Sequence, residues 1–141
     1  MVAALVLSLP MAVSAAEIGS ATDPVATAVS EAEAGARSVS SSNVGASRLS
    51  STSGSVSAYA TFSGTASKAV CLIYLQESYN GSWRAATGVT NSYSKTVYNA
   101  NSITAGKTFT LKSGKVYRAK VVFTDTIGGT TYTKTRYTGS F

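Results

Sequence analysis

Between Gly45 and the C-terminus, apolar side chains recur at every second residue in several stretches, and that spacing decides the fold class. Val56, Ala58, Ala60 and Phe62 alternate with Ser55, Ser57, Tyr59, Thr61 and Ser63. Tyr117, Ala119, Val121 and Phe123 alternate with Arg118, Lys120, Val122 and Thr124, and Phe109 and Leu111 with Thr108 and Thr110. A period of two puts one set on the dry face of an extended strand and the other on its wet face. The only prolines, Pro10 and Pro24, lie upstream, so every residue here can donate to a ladder. Ser and Thr fill 41 of the 141 positions, so the wet faces are built from hydroxyls more than from charges.

Residues 69–75 (Ala-Val-Cys-Leu-Ile-Tyr-Leu) are apolar on both faces, as a central strand requires. The strand runs on to Asn80-Gly81, the strongest short hairpin signal, because a type I′ turn needs φ > 0 at both central residues. A two-residue loop fixes the register: Tyr79 opposite Ser82, Ser78 opposite Trp83, Glu77 opposite Arg84. Glu77 thus has a cross-strand cation, and Cys71, Ile73 and Leu75 share its face as core. The lone Cys cannot close an internal disulfide, and it reads as a buried thiol rather than a reactive or dimer-forming one. Asn80-Gly81-Ser82 also fits the glycosylation acceptor pattern, which the turn already explains. Upstream, residues 46–52 read as a short edge strand with Ser53-Gly54 as its turn. Residues 88–107 are poorly patterned. Gly128-Gly129 turns the chain into a last strand over residues 130–138. Closely spaced strands without helices predict an immunoglobulin-like antiparallel β-sandwich of about seven strands over residues 44–141.

The N-terminal part has a different composition. Residues 1–16 are uncharged, with an apolar run, Pro10, and the small residues Ser14, Ala15 and Ala16. This reads as a secretory signal peptide cleaved after Ala15 or Ala16, although no Lys or Arg precedes Arg37. The run is too short to span a bilayer, which takes roughly 20 apolar residues. No membrane span is therefore expected once it is removed, and a secreted or surface location follows. Residues 17–43 read as an acidic Ala/Ser/Glu-rich linker, disordered or weakly helical. Asp23 and Pro24 start a short helix over residues 24–34, and Gly35 stops it.

The passage Leu111-Lys-Ser-Gly114-Lys-Val-Tyr117-Arg-Ala119-Lys-Val121 resembles the step between strands E and F of fibronectin type III domains. The resemblance implies that Tyr117 is a corner tyrosine, its hydroxyl bonded to backbone just upstream, with Leu111 packed before it. The Asn80-Gly81 turn followed by Trp83 is similar to the hairpin after strand C. The layout as a whole resembles small secreted proteins of Gram-positive bacteria, which implies a compartment and no activity.

Composition also limits the chemistry. The chain has no His and a single Cys. That excludes a Ser-His-Asp triad, a Cys-His pair and an imidazole or multi-thiolate metal site. Glu77 and Asp125 are the only carboxylates of the domain, in separate hairpins, and no phosphate-binding loop or Gly-x-Ser-x-Gly motif occurs. No enzyme and no cofactor are expected. Residues 44–141 hold 11 Lys and Arg against those two acids, a formal charge of +9. The basic residues are spread over strands with no recognition helix, so nucleic acid is not the expected partner. The expected role is a non-catalytic secreted or surface module that contacts a macromolecule, either an anionic cell-wall polymer or a protein. The alternative is a carbohydrate-binding module stacking sugars on exposed aromatics, Tyr79 and Trp83 foremost.

The last hairpin decides where the cations lie. A loop of Gly128-Gly129 alone puts Lys134 and Arg136 on the face of Phe123. A three-residue loop, Ile127-Gly128-Gly129, avoids this and sets Phe123 opposite Thr133 and Lys120 opposite Arg136. On that register Arg118, Lys120, Lys134 and Arg136 form one outer stripe, suited to an anionic polymer or to protecting a sheet edge.

Overall fold

The computed structural model describes residues 38–141. The expected signal peptide (1–16) and the short helix (24–34) lie outside the described residues. The described chain is all strand and turn: β1 (Val39–Ser50), β2 (Ser53–Tyr79), β3 (Ser82–Ala85), β4 (Ser92–Thr110), β5 (Tyr117–Ile127) and β6 (Thr130–Tyr137). These six strands form one antiparallel sheet in the order β1-β2-β5-β6, with β3 and β4 also paired to β2. β1 begins at Val39, ahead of the composition change at Val44 that marked the expected start of the domain. Its hairpin turns at Ser51-Thr52, with Ser50 paired to Ser53. The expected Ser53-Gly54 turn is therefore the start of β2. Gly54 is buried there and leaves no room for a side chain, since a Cβ would come within 2.8 Å of both Leu111 and Phe141.

β2 and β4 are long because each serves two halves of a curled sheet. The first half of β2 pairs with β1 on one side and with the second half of β4 on the other. Its second half pairs with the first half of β4 and with β5. The β2–β4 register jumps between Thr61 and Ala66, near Asn99, whose φ is +48°. Asn tolerates this left-handed conformation better than most side chains. The curl brings two inner faces together into one core. Val56, Ala58, Ala60 and Phe62 come from one half, and Cys71, Ile73, Leu75, Val121 and Phe123 from the other. Cys71 is fully enclosed, as its alternation predicts. Burial pushes its thiol pKa up to about 12 against a small opposing pull from Lys95, so it is no nucleophile in the folded chain.

Two expected local features are present. The β2–β3 hairpin turns at Asn80 (φ +52°) and Gly81 (φ +81°), with Glu77 opposite Arg84 and Ser78 opposite Trp83. The Tyr117 hydroxyl accepts the backbone N–H of Lys112 at 2.9 Å, and its ring is fully buried with Leu111 in the core. Tyr117→Phe keeps the ring and removes the acceptor. Urea unfolding should show a loss of about 0.5–1.5 kcal/mol; an unchanged midpoint would mean that water takes over the Lys112 N–H.

The last hairpin departs from the sequence reading. Ile127 pairs with Thr130, so the loop is Gly128-Gly129 alone. Both glycines have positive φ, +58° and +82°, which lets a two-residue turn match the strand twist. Phe123 therefore faces Lys134, Val121 faces Arg136, and Lys120 faces Tyr137. The charges are not trapped, because β6 is an edge strand. The Arg136 guanidinium crosses to β1, donating through Nη1 to the Ser42 carbonyl at 3.0 Å and to the Ser42 hydroxyl at 2.6 Å. Burial lowers its pKa from the ordinary value, and its Nε has no protein partner.

Candidate binding face

The observed register separates the four cations. Arg118 and Lys120 stand on the outer face of β5, while Lys134 and Arg136 lie on the inner side of β6. The expected four-residue stripe does not form, and its two halves have different surroundings.

The outer pair belongs to a wide face made by the first half of β4, the second half of β2, β5 and β6. Direct cross-strand neighbours share a face. One row runs Ser92, Tyr74, Lys120, Tyr137. The next row holds Gln76 opposite Arg118 and Gln76 opposite Ala85. The Arg118 guanidinium carbon lies 4.7 Å from the Trp83 ring centroid and 4.3 Å from that of Tyr137, and its Nε donates to Gln76 Oε1 at 2.7 Å. These contacts orient a cation that is already 91% hidden, given its 9% relative exposure, and splint β3, β2, β5 and β6 together. Beside them lies a shallow open concavity of about 360 Å³, lined by Tyr74, Gln76, Ala85, Asn91, Lys120 and Val122.

The other outer face is chemically different. There β1 presents Ser41, Asn43 and Ser47, and β2 presents Ser55, Ser57 and Tyr59, with no charged side chain among their cross-strand neighbours. Neither carboxylate of the domain reaches an outer face. Glu77 and Asp125 are both fully buried. Glu77 is ion-paired to Arg84 at 2.6 Å and to Lys115 at 3.3 Å. Asp125 accepts a hydrogen bond from Ser38, and its other oxygen has no protein partner. The two carboxylates lie at different places along the inner side: Glu77 faces Tyr117 at the start of β5, and Asp125 stands eight residues further along that strand, facing Tyr132.

The expected stacking pair is also divided. Trp83 joins the Arg118 cluster on the outer face, whereas Tyr79 belongs with Glu77 and Arg84 on the opposite side of the hairpin. Arg84 covers one face of the Tyr79 ring, 3.5 Å from its centroid. Sequence reasoning missed Tyr74 and Tyr137. Tyr74 was absorbed in the run 69–75 that reads as apolar on both faces. Its phenol was the available signal that this face opens to water. Tyr137 joins the face only through the two-residue register of the last hairpin.

Among the described residues, no group of three or more Cys, Asp or Glu is placed to hold a metal. Among the same residues, no helix is long and apolar enough to cross a membrane. No protein-family model matches the chain, and no curated protein matches it. Among solved structures, a protein from Archaeoglobus fulgidus is similar over 74% of this chain and 96% of its own, at 12% identity and a TM-score of 0.34.

Proposed function

We propose that this chain is an exported, non-catalytic module that contacts an anionic surface polymer through the outer face of β4, β2, β5 and β6. One observation carries the reading: cations and aromatics share that face, while both side-chain carboxylates among the described residues are buried on the inner side. A face arranged this way attracts a polyanion without internal competition, and salt screens the attraction. The neutral-sugar alternative has less support, since Tyr79 and Trp83 point to opposite sides and each already holds a guanidinium. As part of the same proposal, the curled sheet is an immunoglobulin-like sandwich related to fibronectin type III. The pairing of β1, β2 and β4 in one half, the pairing of β2, β5 and β6 in the other, and the Tyr117 corner bond support this.

Retention of the purified protein on immobilised wall teichoic acid, an acidic glycan and a neutral glycan tests the reading. Binding to the anionic matrices is expected, falling steeply as salt rises. Arg118→Gln/Lys120→Gln should weaken it more than Lys134→Gln/Arg136→Gln. Equal retention on the neutral glycan, insensitive to salt, would select the carbohydrate-stacking alternative instead.

A further inference from the structure

Resting on that face as a binding surface, we infer that the concavity between β2 and β5 is a subsite for one sugar-acid residue of an acidic polysaccharide, with Lys120 as the group that takes its carboxylate. Lys120 lies between Tyr74 on β2 and Tyr137 on β6, its direct cross-strand neighbours. Its ammonium makes no ion pair or hydrogen bond among the described residues. Its charge is uncompensated because both side-chain carboxylates among the described residues are buried on the inner side, Glu77 held there by Arg84 and Lys115.

The rest of the lining matches a sugar ring more closely than a bare anion. Arg118 donates to Gln76 Oε1, which fixes the orientation of that amide and turns its NH2 into the remaining donor. Asn91 donates its NH2 to the Ala86 carbonyl at 2.8 Å, which leaves its Oδ1 as an acceptor. Val122 gives an apolar floor and the exposed Tyr74 ring an apolar wall. One cation, one amide donor, one acceptor, a phenol and an apolar wall suit a ring with hydroxyls on its rim, C–H groups on its face and a single carboxylate. A volume of about 360 Å³ holds one such residue and leaves the chain to continue over the open face. A lone ammonium is a point charge suited to a monoanion; dedicated phosphate sites usually add Arg forks or clustered backbone N–H groups.

Calorimetric titration of the full chain with an oligogalacturonate, the corresponding neutral oligogalactan and inorganic polyphosphate tests this. Lys68 is the control. It is exposed on the same face, about 20 Å along β2 from Tyr74, and its loss removes the same charge. Lys120→Gln and Tyr74→Leu are each expected to weaken oligogalacturonate at least tenfold, Lys68→Gln no more than about twofold. Polyphosphate should respond alike to Lys120→Gln and Lys68→Gln. Equal losses of oligogalacturonate in the two lysine variants would overturn the subsite and leave the face reading intact. Oligogalactan binding as tightly as oligogalacturonate would overturn carboxylate recognition. Failure of the unaltered protein to bind either anion at low salt would overturn the face reading, and the subsite with it. Circular dichroism of each variant separates lost binding from lost folding.

Discussion

Glu77→Ala is expected to lower the unfolding free energy at pH 7 by about 3 kcal/mol, towards the low end of what breaking a buried ion pair costs. The carboxylate accepts Arg84 Nε at 2.7 Å, the Thr87 backbone N–H at 3.1 Å, the Thr87 hydroxyl at 3.3 Å and Lys115 Nζ at 3.3 Å. It thereby ties β3, the segment after it and the loop before β5 to one point on β2. The Arg84 and Lys115 side chains keep 40% and 34% of their exposure, so solvent screens part of the attraction and holds the estimate down. Burial by itself raises the Glu77 pKa. The Thr87 N–H, Arg84 and Lys115 outweigh it and bring the value from 4.5 to about 2. A carboxyl whose folded pKa lies below its unfolded value adds stability in full above the unfolded value, here 4.5, and loses it as pH falls towards 2. Urea titrations should therefore show Glu77→Gln falling further below the unaltered protein at pH 7 than at pH 3. A Glu77→Ala midpoint unchanged at pH 7 would show that the clamp adds no net stability.

Asp125→Asn is expected to work in the opposite direction, raising stability at pH 7 by about 1–2 kcal/mol, as when a poorly compensated buried charge is replaced. Burial raises the Asp125 pKa above 3.8, and the Ser38 hydroxyl offsets this only in part. Its stabilising contribution is complete below 3.8 and is lost as pH rises through the elevated folded value. Asn retains an oxygen to accept from Ser38 and has no proton to lose, so the variant should lack this pH dependence. Thermal unfolding between pH 3 and pH 8 would reveal a gap from the unaltered protein that widens with pH. A gap that stays constant would mean the gain comes from packing and that Asp125 does not titrate in this range.

The parts of this molecule that were legible in the sequence are those set by local geometry. A two-residue turn at Asn80-Gly81 leaves one register, so the Glu77–Arg84 pair followed from counting. The Tyr117 corner bond, which spans five residues, followed from the resemblance of Leu111–Val121 to fibronectin type III domains. The register of the last hairpin is not legible, because within that hairpin alone burying Lys134 and Arg136 is prohibitive. The cost is reduced by Ser42 on β1, far away in the chain and invisible to a reading that considers one hairpin at a time. β4 escaped the pattern for a related reason. It is paired only with β2 and curls, so Lys95 on the inner side of the register reaches the Thr104 carbonyl at 2.8 Å across the bend. The candidate site needs neighbours from β2, β3 and β5, whose registers no single stretch of sequence contains.

β2 pairs with β1, β3, β4 and β5, and only β6 is attached through another strand. A domain wired this way has no half that can detach while the other persists. Pulling the chain at its ends should produce one rupture rather than a staircase, and amide exchange should protect both halves of β2 to a common limit set by global opening. The same wiring slows assembly. β2 finds its β4 and β5 partners only after closing long loops, and that chain entropy is lost before the contacts repay it. Once closed, a module of this kind resists piecemeal fraying, because each half of β2 opens only when the other does.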